Sequence, residues 1–326
     1  MRLKNKLRNL MGPRWVTLVR IRRSKLVRFA LLLLRYPIQL VIQRANHPYL
    51  PINVTGTMGM GGIMVHVLKL LRHAQRNSLI PIIRVNSPLY AELPAENLLQ
   101  RYLSVPERSM SNLEHLRFHQ VECEQDYAAL HVAKSMTLAE ARATFNAFLK
   151  FNDEICLTVE RLISQNGGDF ILSIHYRGTD KIYDGPKAAF HEIFSACRQI
   201  LEKCPAQTAF LATDEATFAE SIRLEFPNIT FISFEFAMQS QLGVPRHFSS
   251  LRPSQKAFEA LVNMQLLSRS RYLVRTSSYL SAISCLLNED MQVVTVGQLY
   301  DAQAFPEKQI HEAHRNRNAQ ARLSVP

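Results

Sequence analysis

Apolar and polar positions along the chain follow two different periods. Leu50 to Thr55 is an apolar run of strand length, and the glycine-rich stretch Gly56-Thr57-Met58-Gly59-Met60-Gly61-Gly62 follows it. Ile63, Val67, Leu68, Leu70 and Leu71 then recur at helical spacing, and Leu79 to Val85 makes a second β-rich run. Strand, glycine turn, helix, strand is the opening of a right-handed βαβ unit. Ser87 to Ser135 shows no clean period and carries Pro88, Pro94 and Pro106, so it reads as loop. Thr137 to Ser164 reads as one or two amphipathic helices.

The break Asn166-Gly167-Gly168-Asp169 predicts a domain boundary. Beyond it the spacing predicts strands at Phe170–His175, Thr208–Thr213, Ile229–Phe234, Tyr272–Val274 and Gln292–Val296. Between them it predicts helices at Lys187–Glu202, Ala216–Glu225, Gln255–Ser268 and Tyr279–Leu287. Apolar strands alternating with helices mean a buried parallel sheet. The polar stretch from Glu307 is expected at the periphery. The chain therefore divides into a basic segment (1–48), an N-terminal α/β domain (49–165), a C-terminal α/β domain (166–305) and a polar tail (306–326).

Composition is that of a globular protein, with 47% hydrophobic and 20% charged residues in 326. The net charge of +12 is uneven. Of the 39 Lys and Arg, 16 precede the first acid, Glu92; the other 23 face 27 acids. Residues 1–44 hold twelve of those bases among Leu, Val, Ile and Trp15. Their best apolar run, Phe29–Leu34 and Pro37–Ile42, is broken by Arg35 and falls short of the ~20 residues that span a bilayer. Such a segment suits an anionic membrane surface. A solvated arm, a short anchor or nucleic-acid contact are its other readings, although no nucleic-acid recognition fold is visible. Five scattered cysteines without CxxC or ligand spacing point to reduced thiols in a cytoplasmic protein and to no zinc site.

Three strand-to-helix loops carry the chemistry. They hold His175-Tyr176-Arg177-Gly178-Thr179-Asp180-Lys181, Thr213-Asp214-Glu215 and Arg275-Thr276-Ser277-Ser278. In a doubly wound sheet such loops share the carboxyl edge, where ligands bind. Arginine, lysine and hydroxyls suit a diphosphate, and carboxylates suit ribose, base or sugar hydroxyls. Each loop taken singly also suits capping of the next helix. The glycine stretch matches neither G-x-G-x-x-G with its acid nor a P-loop, and it fits close approach to a ligand or simple turning equally well.

These residues resemble the fucosyltransferase group that includes mammalian core α1,6-fucosyltransferase and the rhizobial nodulation fucosyltransferases. The group's His-Val-Arg-Arg-Thr-Asp-Lys motif is similar to 175–181, Ala188-Ala189-Phe190-His191 follows as it does there, and Phe210–Glu215 matches its Phe-Leu-Ala-Thr-Asp-Asp segment. Phe231-Ile232-Ser233, Leu267-Ser268, Leu273-Val274 and Thr276 continue the match. Gly59, Gly61 and His66 look like its Gly-Phe-Gly…His pattern. The resemblance covers about 53–300 and is strongest over 170–285.

It implies a GT-B-like fold of two Rossmann-like domains with a basic N-terminal extension. It also implies inverting transfer of fucose from GDP-fucose to a glycan or lipid-linked saccharide, with no cofactor and no required metal. Arg177 and Asp180 would be catalytic, with Arg177 on the β-phosphate. His175, Lys181, Thr213, Asp214, Asn263, Thr276, Ser277 and Ser278 would bind the donor, and Gly59, Gly61 and His66 would serve the interdomain, acceptor side. Asp180, Asp184 and Glu215 are candidates for the general base. Three departures stand out: Gly178 replaces a second arginine, Asn263 aligns with an aspartate that reads guanine, and the group's final Ser-Gln pair falls on Tyr279-Leu280. A different nucleotide-sugar donor, or a non-catalytic binding protein of the same fold, are the alternatives. The leading reading puts the enzyme in the cytoplasm, peripheral on the inner membrane face, making surface polysaccharide or glycolipid.

Overall fold

The computed structural model describes residues 46–313 apart from 57, 94–95, 105–115, 123–125, 127–131, 133–134, 179–186, 236–249 and 300–303. The basic segment and the motif residues Asp180, Asp184 and Lys181 lie outside the described residues.

Two parallel sheets organise the molecule. The smaller has the order β2-β1-β4, built from β1 (Tyr49–Val54), β2 (Ile80–Val85) and β4 (His119–Val121). Between β1 and β2 runs α1 (Met60–Arg76), whose buried Ile63, Met64, Val67, Leu68, Leu70 and Leu71 cover the sheet. The stretch expected to be loop thus contributes an edge strand, β4. It also holds a short helix, α2 (Leu98–Tyr102), and β3 (Leu103–Ser104), which pairs antiparallel with β5 (Lys150–Phe151).

The expected helical stretch divides in two. In α3 (Leu138–Phe148), the Thr137 hydroxyl accepts the Glu140 amide at 3.1 Å, and the Glu140 carboxylate accepts the Thr137 amide at 2.9 Å. This reciprocal cap satisfies two backbone donors that the helix leaves unpaired. In α4 (Asp153–Gln165), Asn152 caps the Ile155 amide at 3.0 Å, and Asp153 and Glu154 face the positive helix end. Gly167 and Gly168, at φ 83° and 114°, turn the chain out of α4, a conformation that glycine adopts without steric cost.

The larger sheet has the order β10-β9-β6-β7-β8, with every pairing parallel. Its strands are β6 (Phe170–Tyr176), β7 (Thr208–Thr213), β8 (Thr230–Ile232), β9 (Ser270–Thr276) and β10 (Gln292–Val296). The crossovers are α5 (Phe190–Lys203), α6 (Ala216–Glu225), α7 (Pro253–Ser268) and α8 (Tyr279–Leu287). The chain builds outward from β6 to β8, then returns across the sheet to lay β9 on the other side of β6. That reversal is a topological switch point, and it lies between β6 and β9.

Strand alternation divides the core. Leu172, Ile174, Tyr176, Ala209, Leu211 and Val274 pack under α5 and α6, where Tyr176 stacks on Phe218 at 4.1 Å between ring centroids. Phe210, Ala212 and Leu273 face the other way, toward α7 and α8, and Phe170, the first residue of β6, joins their cluster beside Phe210. That second cluster does not stop at the larger sheet. It continues through α1, α3 and α4 to Leu50, Ile52 and Val54 of the smaller one, so helices sandwiched between the sheets give both a common apolar interior. Phe305 and Ile310 are buried in the same cluster, so the chain around residue 307 is interior and not peripheral as the polar sequence suggests.

Candidate functional site

Residue order along β6 sets up the site. Side chains alternate across a strand, so His175 points away from Tyr176. Tyr176 is locked into the α5/α6 side, its hydroxyl donating to Ala188 O at 3.1 Å. Arg177 leaves the strand half-buried, and its backbone N–H donates to the Thr276 hydroxyl at 2.9 Å. This bond ties the end of β6 to the end of β9 directly across the switch point.

The neighbouring loop adds a second tie. Asp214, just past β7, accepts the Gly178 N–H at 2.9 Å through its carboxylate. Thr213 turns its hydroxyl oxygen to the Glu215 amide at 3.1 Å, a bond within the loop, while α6 itself, with Glu215 at its N-cap, has no side-chain cap. Glu215 accepts from Lys187 at 3.1 Å, and its carboxylate fills the space beside Gly178. A Cβ at 178 would lie 1.6 Å from Glu215 Oε2. A side chain at 178 would have to displace the flexible end of Glu215 and would crowd the Tyr176 ring, 2.8 Å away.

Two helix N-termini meet at this edge. Gly61, the second residue of α1, lies against Tyr279 and Leu280, which open α8; a Cβ on Gly61 would sit 2.3 Å from the Leu280 nitrogen. Gly61 is thus a helix-crossing residue within α1, and close backbone approach is what its lack of a side chain permits. Neither helix is capped by the side chain of its own N-cap residue, Gly59 or Ser278, and neither has an acid in its first turn. Each N-terminus carries about half a positive charge, so their convergence makes an electropositive corner.

Arg177 borders that corner. Tyr90, in the loop after β2, is 2% exposed and accepts the Met60 N–H at 2.9 Å, so it caps the start of α1. Burial pushes its phenol pKa up, opposed by the Met60 bond and by the positive charge of Arg177. The meeting of α1 and α8 therefore brings the carboxyl edges of the two sheets together, with the charge of Arg177 in electrostatic reach of Tyr90.

The remaining expected residues fall into place around this edge with different roles. Thr276, Ser277 and Ser278 are all buried between β9 and α8. Asn263, midway along α7, donates to Phe234 O at 3.2 Å, just beyond β8, while its Oδ1 is buried without a hydrogen-bond partner. His66 is half-buried on α1, about 9 Å along the axis from Met60. His175 is buried at the end of β6, paired in register with Ala212 and Arg275. Among the described residues, no group of three His, Cys, Asp or Glu is gathered as for a metal, and no helix is long and apolar enough to cross a membrane. Cys197 and Cys285 are buried thiols pushed up to about 12 by desolvation, far from nucleophilic use.

Sequence reasoning missed Arg275. It stood in the ligand loop as one more cation, yet it is fully buried and bound to Glu307. Tyr90 was missed as well; it lies in a stretch without period, and no local signal marks it.

This is an α/β protein with two parallel sheets, the larger in the doubly wound order of nucleotide-binding folds, and a cationic corner at its switch point. The family model described as Nodulation protein Z (NodZ) matches residues 121–299, just over half of the chain. The chain belongs to the NodZ family. Among solved structures it is similar to fucosyltransferase NodZ from Bradyrhizobium, at 15% identity and a TM-score of 0.50 over 78% of this chain and 97% of that one. It is also similar to a NodZ alpha-1,6-fucosyltransferase co-crystallized with GDP, at 16% identity and a TM-score of 0.49 over 73% and 93%. A third match, a NodZ alpha-1,6-fucosyltransferase soaked with GDP-fucose, gives 16% and 0.48 over 76% and 99%. At 15% identity the likeness to the Bradyrhizobium structure speaks to fold alone. No curated protein sequence matches the chain significantly.

Proposed function

We propose that this protein is a fucosyltransferase that moves fucose from GDP-fucose to a glycan or lipid-linked saccharide. The observation that carries the reading is the convergence of two acid-free helix N-termini beside Arg177 at the switch point. A diphosphate needs donors and positive charge at one place, and this corner supplies both without a side-chain carboxylate in either first turn. Membership of the NodZ family supplies the donor, because its solved members were crystallised with GDP or soaked with GDP-fucose.

In this reading the β-phosphate sits against Arg177 and the amides that open α8. Both interactions strengthen as negative charge builds on departing GDP, so they lower the barrier and do more than bind. Thr276 and Asp214 hold the loop after β6 through backbone amides, and Asn263 offers an acceptor oxygen toward the base. The acceptor hydroxyl attacks the anomeric carbon from the face opposite GDP, which inverts the configuration. A carboxylate at Asp180, Asp184 or Glu215 takes the proton. Residues 166–305 form the donor side and 49–165, with Gly59 and His66, the acceptor side. The bases of residues 1–44 hold the enzyme at an anionic membrane face, where lipid-linked acceptors reside.

The test is direct. The full chain with GDP-fucose and an oligosaccharide acceptor should release GDP and give a product heavier by one deoxyhexose, and Arg177→Ala should do both about 10²–10³-fold more slowly. Gly178 and Asn263 favour a second reading, a donor with another base. Calorimetric titration with GDP, UDP and ADP decides it, since a clear preference for UDP defeats the fucosyl assignment.

A further inference from the structure

The guanidinium of Arg275 makes four hydrogen bonds inside the protein. Nη1 and Nη2 reach the Glu307 carboxylate at 2.9 and 2.5 Å, Nε donates to the Ser281 hydroxyl at 2.9 Å, and Nη2 also donates to the Ser278 carbonyl at 2.9 Å. Exposure of Arg275 is 0% and that of Glu307 is 1%. Burying two charges this fully is costly, and replacing such a pair with apolar residues is often neutral or stabilising, so stability alone is a poor reason for it.

Its location suggests another reason. Arg275 immediately precedes Thr276, whose hydroxyl accepts the Arg177 amide. Ser278 is the N-cap of α8, and its carbonyl also accepts the Ala282 amide at 3.0 Å and the Ser281 hydroxyl at 3.2 Å. The guanidinium thus grips the turn from β9 into α8 at its last carbonyl and at the first turn of the helix. Glu307, on the helical segment 307–313 and fixed by buried Phe305 and Ile310, holds the guanidinium from the other side.

We propose that Arg275 and Glu307 are positioning residues: the C-terminal segment, through this pair, sets where the 276–278 turn and the start of α8 present their donors to the diphosphate. Neither side chain touches substrate. The inference rests on the reading of that turn as the diphosphate site, and it adds that the stretch after residue 304 is part of the binding machinery.

The experiment replaces both charges at once, Arg275→Met with Glu307→Leu, so that no buried ion is left unpaired. Unfolding and circular dichroism establish that the variant is folded, and calorimetry then measures GDP. Loss of geometry at such a turn should weaken GDP binding about 10- to 100-fold and raise KM for the donor, with KM for the acceptor unchanged. A folded variant with wild-type GDP affinity overturns the proposal and leaves the functional reading intact. Wild-type protein that binds no nucleoside diphosphate overturns the functional reading, and this inference with it. If the double variant does not fold, the wild-type protein carries the test through amide exchange. Saturating GDP should slow exchange in 305–313 as well as in 276–282, and slowing confined to 276–282 defeats the clamp.

Discussion

Arg177 and Arg275 end neighbouring strands of one sheet, on either side of the switch point, and they do opposite things. Arg177 emerges half-buried at the corner where two helix N-termini meet, with its backbone fixed by Thr276 and its charge facing Tyr90. Arg275 turns inward, is wholly buried and spends its guanidinium on Glu307, Ser278 and Ser281. Both arginines close an apolar strand and precede a run of hydroxyl or acidic residues. What separates them is a single carboxylate 32 residues further along, whose arrival converts one cation into scaffold and leaves the role of anion holder to the other.

Breaking each arginine in turn should therefore give different failures. Arg275→Ala strands the Glu307 carboxylate in the interior, and the loss of stability should be about 3–5 kcal/mol by urea unfolding. Arg177→Ala should leave the unfolding midpoint almost unchanged while kcat falls about 10²–10³-fold, as for loss of one donor to a developing oxyanion. An Arg177→Ala protein as unstable as Arg275→Ala would erase the distinction.

Gly61→Ala tests the corner between them. Its methyl must push α1 off α8, so a loss of about 1–3 kcal/mol is expected, accompanied by weaker GDP binding. A loss of stability with GDP affinity intact would detach the helix crossing from the site.

The smallest effect calibrates what a partly exposed pair is worth. Glu140 accepts the Thr137 amide and bridges Arg72 at 2.6 Å and Arg76 at 2.7 Å, which together hold its carboxyl down to about 2. Because the folded value lies below the ordinary 4.5, the ionised cap stabilises above that pH and is lost as pH falls from about 4.5 toward 2. Glu140→Gln should cost about 1 kcal/mol at pH 7 and flatten that part of the acid-unfolding profile.

Much of the larger sheet was legible because its strands are continuous apolar runs and its helices alternate with them. Boundaries shifted by only a few residues, as where β9 runs from Ser270 to Thr276 and not just over Tyr272–Val274. The smaller sheet was harder. β4 is three residues, His119 to Val121, and becomes a strand by pairing with β1, a contact across 67 positions that no local period announces. Glu307 looked peripheral because its surroundings are polar, and its burial follows from Arg275, which local reading had placed among ligand groups. Gly61 was legible as a glycine that matters. Its reason, backbone against backbone at Leu280, required the fold.

The central claim is spatial, and a crystal structure of the full chain with GDP tests it most directly. The account predicts a β-phosphate oxygen about 3 Å from the Arg177 guanidinium and from amides at the start of α8. GDP bound away from the β6/β9 edge, or with its diphosphate turned from Arg177 toward solvent, would contradict it.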